Sequence, residues 1–304
     1  MVLIALCLVF TLINPNFLSV RNGARIGLLA APTLLVAIGV TFVIIMGSID
    51  LSMEGVVALC AMVFAKVFVT YGGFGGWGWL AILIAMLVGS LAGFLGGVIQ
   101  VTLKIPSFMS SLSMGFVCLG ATFLLSGGFR VSVDDPIFRS LLTERLFSLP
   151  YMIYFALAGL VVAVFIERWT VVGRNIFAVG GGEEQAKASG LNVVRVRVAA
   201  FAIAGLFYAL GALLSVARVG IADETNGSNL MFTSITAVVV GGTSLGGGQG
   251  SVINTLVGTL IVAVISNGMT VIGLPSFIQS GVLGTIVIIA VALSTNRNAI
   301  RIVK

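Results

Sequence analysis

The run GSVINTLVGTLIVAVISNGMTV, Gly250 to Val271, carries no charged side chain. It lies inside a longer span, Thr225 to Asn296, that carries none either. Continuous apolar runs of this kind suit helices crossing about 30 Å of hydrocarbon. A membrane β-barrel strand would instead alternate apolar and polar residues over about ten positions. Lys66 and Lys104 bracket a second long uncharged run. Over the whole chain 59% of residues are apolar and 9% are charged, with a mean hydropathy of +1.20. Soluble domains carry roughly 25% charged residues, so this chain cannot cover a soluble surface. The fold class is an all-α integral membrane protein.

Apolar runs and their breakers predict about ten crossings, near residues 1–13, 28–46, 53–70, 78–103, 107–126, 149–166, 198–216, 230–242, 250–271 and 276–294. The 230–242 piece is short enough to be a half-helix dipping into the membrane, which leaves eight to ten transmembrane helices, some broken or re-entrant. The 1–13 segment lacks a basic front end and a small-residue cleavage site followed by a soluble domain. It reads as a first crossing. The whole of 1–304 reads as one transmembrane domain.

Positive charge orients the chain. Arg168, Arg174, Lys187, Arg195 and Arg197 cluster in the 168–197 insert, and Arg297, Arg301 and Lys304 lie in the C-terminal tail. Both are expected in the cytoplasm. The mixed-charge connector 127–148 is expected outside, as is the 14–27 loop, although Arg21 and Arg25 count against that side. The net charge of +6 is scattered through connectors without interleaved aromatics, so nucleic acid is not an expected partner; membrane lipid is. Cys7, Cys60 and Cys118 lie far apart in apolar runs and read as buried hydrophobes. With no His in the chain, metal and proton-relay chemistry lack their commonest residue.

The insert interrupts this apolar chain with GRNIFAVGGGEEQAKASGLN, Gly173 to Asn192. Gly180, Gly181 and Gly182 read as a flexible lead-in. Glu183 to Ser189 reads as a short helix with Gly190 as its stop. Glu183 and Glu184 suit the helix N-terminus, and Glu183 is spaced to pair with Lys187. At about 1.5 Å per residue it is too short and polar to cross. It is either a solvated connector or a docking element presenting acidic side chains.

Two further segments stand out. In GSIDLS, Gly47 to Ser52, Asp50 is either a cap for the helix beginning near Ser52 at the cytoplasmic interface or a group on a solute path. Glu54 follows closely. In GGTSLGGGQG, Gly241 to Gly250, the glycines of Gly241-Gly242-Thr243 allow a tight turn near the path. The two segments echo each other weakly, each joining two crossings. Asn254, Ser266, Asn267 and Gln279 are polar groups that face either the path or a neighbouring helix.

These motifs together resemble the membrane permeases of ATP-binding cassette (ABC) importers of the ribose, xylose, galactose and autoinducer-2 type, within the branched-chain amino-acid and sugar permease superfamily. The resemblance rests on VTFVIIMGSIDLSMEGVVAL (40–59), LKIPSF (103–108), GRNIFAVGGGEEQAKASGLNVVRVR (173–197) and ITAVVVGGTSLGGGQGSVINTLVGTLIVAVISNGM (235–269), in that order. Glu54 departs from the small residue usual in the family. The resemblance implies a bacterial inner-membrane, multi-pass subunit that is not itself an enzyme. It implies that Gly173, Arg174, Gly180, Gly181, Glu183, Glu184, Lys187 and Gly190 belong to a coupling segment for a separate ATPase. It places Gly47, Asp50, Ser52, Gly241, Gly242, Thr243 and Asn267 as candidates for the pathway or its helix breaks. No cofactor is expected on this chain, and ATP-Mg is expected on the partner ATPase. No G-x-x-x-x-G-K-[ST] loop occurs, since no Gly precedes any Lys. A second permease copy or paralogue and an extracytoplasmic binding protein complete the implied assembly.

The implied solute is a pentose, hexose or related polyol. A nucleoside, autoinducer-2 or branched-chain amino acid is the alternative within the class. A stand-alone secondary transporter or facilitator is the alternative outside it. A membrane-embedded enzyme would need a convergent set of reactive side chains, and none is visible.

Overall fold

The protein is described by a computed structural model covering residues 2–294. The tail charges Arg297, Arg301 and Lys304 lie outside the described residues. α1 (Val2–Ile13) leads through a 3₁₀ turn into α2 (Val20–Ile45). α2 starts well before the expected residue 28, because Ser19 caps it by accepting from the Asn22 N–H at 3.3 Å. The expected 14–27 loop therefore shrinks to a few residues, and Arg21 and Arg25 stand on the first turns of a helix. α3 (Met53–Thr70), α4 (Leu80–Leu103) and α5 (Ser107–Ser126) follow, close to their expected bounds.

The 127–148 connector is folded rather than a plain loop. β1 (Val131–Ser132), α6 (Pro136–Thr143), β2 (Arg145–Leu146) and β3 (Leu149–Pro150) occupy it. Asp135 organises it: one carboxylate oxygen caps α6 at the Phe138 N–H, 3.0 Å, and the other accepts from the Phe74 N–H, 3.1 Å. α7 (Tyr151–Trp169), α8 (Val171–Gly181), α9 (Glu183–Ala188) and α10 (Val193–Val219) come next. β4 (Ile221–Ala222) pairs antiparallel with β1, so the segment after α10 is stitched to the connector. Arg130 reinforces the join by pairing with Asp223 at 3.2 Å. α11 (Leu230–Val240), α12 (Val252–Val271) and α13 (Ser276–Ser294) complete the chain.

Among the described residues, seven helices are long and apolar enough to cross a membrane: α2, α3, α4, α5, α7, α10 and α12. α1 and α11 are apolar but shorter, as expected for 230–242. α2 and α10 form the centre, with 83% and 61% of their apolar windows buried, whereas α5 and α7 bury 28% and lie at the periphery. Lipid tails give apolar side chains no reason to leave them, so helices in a bilayer associate through close backbone approach. Gly89 of α4 and Gly205 of α10 provide it, since a Cβ on either would collide with the other's backbone. Gly39 of α2 is closed in the same way against Ala204 and Tyr208 of α10.

The chain does not turn at the membrane surface between α2 and α3. It doubles back in extended form along α5. The Ile49 N–H donates to Ser107 Oγ at 3.0 Å and the Leu51 N–H to Ser111 Oγ at 2.9 Å, while Ser52 lies against Gly115. Non-helical backbone at membrane depth must find partners for its polar groups, and these serines supply them for the Ile49 and Leu51 N–H groups. α3 consequently starts at the level of Tyr208, midway along α10. α11 also starts at depth: its Met231 N–H reaches Glu54 Oε1 at 3.4 Å, and Gly227 packs on the Glu54 carbonyl. Two helices thus begin N-terminus to N-terminus inside the molecule.

Candidate functional site

The insert is a helical hairpin. Thr170 breaks α7 from α8 with extended backbone, and its Oγ1 caps α8 by accepting from the Gly173 N–H at 3.1 Å. Gly173 lets the elbow close, because a side chain there would strike the carbonyls of Ile166 and Glu167. Ile176 and Val179 bury one face of α8. Gly180 and Gly181 close α8 and do not form a flexible lead-in; only Gly182 separates α8 from α9. The reason is packing: a Cβ on Gly180 would fall on the Ile45 carbonyl oxygen and the Gly248 nitrogen.

α9 ends at Ala188, and Gly190 follows with φ +82° as its left-handed stop. Lys187 Nζ lies 2.9 Å from Glu183 Oε1 and 3.2 Å from Glu184 Oε1. Glu183 also pairs through Oε2 with Arg197 on the first turns of α10. The hydrogen bond from Lys187, supported by Arg197, holds the Glu183 carboxyl below its ordinary range, and the same bond holds Lys187 above its own. The two acids are therefore not equivalent. Glu183 ties α9 to α10, whereas Glu184 is 85% exposed and faces outward. Arg174 is also exposed and has no ion-pair partner among the described residues.

The hairpin meets both glycine-rich segments at one point. The Gly248 N–H donates to the Ile45 carbonyl at 2.7 Å. A Cβ on Gly247 would strike Gly47 and the Gly180 carbonyl; one on Gly248 would strike Gly181. Gly47 itself has φ +81°. Three backbones that lie far apart in the sequence are in direct contact here. Gly241, Gly242 and Thr243 begin the same loop at the C-terminus of α11. Thr243 is fully buried with its hydroxyl unpartnered among the described residues.

Asp50 is buried, at 1% exposure. Its Oδ1 accepts from the Ser52 N–H at 2.8 Å and the Ser52 hydroxyl at 2.6 Å, and its Oδ2 accepts from the Tyr208 hydroxyl at 2.9 Å. It does stand at the start of α3, level with the middle of α10 and not with its hairpin end, because of the doubled-back chain. Asn267 is apart from the others, near the end of α12 remote from the hairpin, with its Oδ1 buried and unpartnered among the described residues. Gln279 bonds Thr270 Oγ1 and the Leu274 carbonyl.

Tyr208 and Glu167 make contacts in this region that sequence reasoning missed. Glu167 is buried and its Oε2 accepts from the Val252 N–H at 3.2 Å, tying the end of α7 to the start of α12. A carboxylate at the end of an apolar run, before Arg168, was the available signal. Nothing in the sequence pairs Tyr208 with Asp50.

These features define a multi-pass membrane permease with a helical hairpin braced against its helix breaks. The chain matches the family described as the branched-chain amino acid transport system / permease component over residues 24–291, and it belongs to that family. It is 33% identical to the ribose import permease protein of Haemophilus influenzae over 95% of this chain and 90% of that protein. It is 32% identical to the L-arabinose ABC transporter permease protein of Azospirillum brasilense over 98% of this chain and 86% of that protein. The ribose import permease protein of Escherichia coli K12 is 28% identical over 97% and 92%. No solved structure matches the chain. These relatives are transport subunits and not enzymes, and such subunits work with an ATPase and a solute-binding partner. Seven apolar helices and this family place the chain in a bacterial inner membrane as a multi-pass protein.

Proposed function

We propose that this chain is the membrane subunit of an ABC importer that carries a pentose, hexose or related polyol into the cytoplasm. Relatives named for ribose and L-arabinose support the solute class. The hairpin of α8 and α9 is the element that receives movement from a separate ATPase, with ATP-Mg bound there and not on this chain. The second permease is a copy or paralogue of this chain, and an extracytoplasmic binding protein delivers the solute. Residues 1–304 act as one permease domain.

One observation carries the mechanism: Gly180 and Gly181 pack backbone to backbone on Gly247-Gly248, and Gly247 packs in turn on Gly47. Packed elements with no free volume between them transmit displacement instead of absorbing it. A shift of α9 therefore reaches two helix breaks together, the one after α2 and the one after α11. Those breaks bound half-helices whose movement alternates access between the two sides. Exposed Glu184 and Arg174 offer the contact surface. Glu183 holds α9 to α10 through Arg197, so docking force enters the central helix as well.

The test is reconstituted uptake with the Glu184→Lys variant and with Glu183→Lys combined with Glu184→Lys. Both variants are expected to insert into the membrane normally. Glu184→Lys should weaken ATP-driven uptake, and the double variant should abolish it. Wild-type uptake by the double variant would refute docking at α9.

A further inference from the structure

Arg218, in the last turn of α10, stands on the face opposite the hairpin. It lines three adjoining cavities of about 180, 130 and 480 Å³. They adjoin at this side chain, and together they form the crevice region between α2, α12 and the start of α11. A cation on a membrane helix is costly and is retained where it faces a partner or a water-filled cavity. Arg218 has no carboxylate partner among the described residues. Asp223 lines the crevice, but it already pairs with Arg130 at 3.2 Å and accepts from the Thr225 N–H and hydroxyl. Arg25 adds a second, exposed cation at the rim.

The crevice also receives the N-terminus of α11. Asn229 at its cap has φ +65° and makes no side-chain cap bond, and Glu54 reaches only the Met231 N–H. The positive end of the helix dipole therefore adds to Arg218. Thr33 and Ser266 line the lobe of about 180 Å³, and Asn267 lines the largest.

The geometry points to a solute subsite in which Arg218 donates to two adjacent oxygens of the transported molecule. A guanidinium presents paired donors in a fixed plane, which fits a vicinal diol of a monosaccharide or the carboxylate of the corresponding sugar acid. This assignment rests on the importer reading, and its test does not require the ATPase. Ser266→Cys is made in a Cys7→Ser background, where the remaining Cys60 and Cys118 are buried. The full chain in lipid nanodiscs is labelled with thiosulfonate reagents of opposite charge and matched size. The anionic reagent should be favoured by at least about tenfold over its preference for a free thiol, and Arg218→Gln should remove that preference. Millimolar ribose, L-arabinose or galactose, or the corresponding aldonic acids, should slow labelling, and Arg218→Gln should abolish the protection. Protection by the neutral sugars assigns the diol, and protection by the acids assigns the carboxylate. An introduced thiol that does not react, a charge preference indifferent to Arg218, or no protection by any solute of the panel overturns the subsite. Failure of the importer reading would show separately, as absence of an ATPase partner.

Discussion

Substituting Gly180 by alanine should uncouple ATP hydrolysis from transport. The added methyl group falls between the Ile45 carbonyl oxygen and the Gly248 nitrogen, which hydrogen-bond each other at 2.7 Å. The three nearest atoms are all backbone, so relief cannot come from a side chain swinging away from them. Overpacking of this kind costs about 1–3 kcal/mol, and losing the hydrogen bond costs about 0.5–1.5 kcal/mol more. The native contact is therefore penalised by about 1.5–4.5 kcal/mol relative to a hairpin separated from the two breaks. Since each 1.4 kcal/mol is about a tenfold change in an equilibrium, the braced arrangement loses at least about tenfold in population relative to the separated one. The assay is solute imported per ATP hydrolysed in proteoliposomes containing the complete importer. ATPase activity should persist and the ratio should fall by at least about tenfold. Gly181→Ala is the control, because a Cβ there meets nothing within 4 Å. A Gly180→Ala importer with the wild-type ratio, or a Gly181→Ala importer equally impaired, would refute the bracing argument.

Tyr208→Phe removes the donor to Asp50 Oδ2 and leaves a buried acceptor unsatisfied, costing about 1–3 kcal/mol; a lowered thermal midpoint in nanodiscs is expected, and an unchanged one would remove Tyr208 from the account. Ser111→Ala strips the partner from the Leu51 N–H at membrane depth, with a similar expected loss, whereas Ser111→Thr keeps the hydroxyl and should restore stability. The Glu183 carboxyl, followed by carbon NMR, should titrate below the ordinary glutamate value of about 4.3. Because its folded value is depressed, its contribution to holding α9 is fully present above the unfolded value and is lost as pH falls through the folded one. Lys187→Met combined with Arg197→Met should return the midpoint to the ordinary range.

The membrane class was legible from uncharged runs alone, and helices such as α3 and α5 were placed to the residue, because glycine, proline and polar breakers flank them. The early start of α2 was not legible, since Arg21 and Arg25 looked like loop charges while the Ser19 cap decided the matter. The α9 helix, its Glu183–Lys187 pair and its Gly190 stop are local, and local spacing revealed them. Gly180 and Gly181 looked flexible because glycine has that freedom in isolation. Their role is to admit the Ile45 and Gly248 backbones, and such long-range contacts leave no local trace. The same limit hid the pairing of Asp50 with Tyr208 and the meeting of Glu54 with the start of α11.

The central claim is that the hairpin is where an ATPase drives this chain. Its most direct test is purification of the tagged chain from its native membrane in mild detergent, with partner identity and ATPase activity measured. A stoichiometric ATPase partner that is lost when Glu183 and Glu184 are both changed to Lys is the predicted result. A chain that purifies alone and still moves ribose across ATP-free vesicles would contradict the account and make it a facilitator.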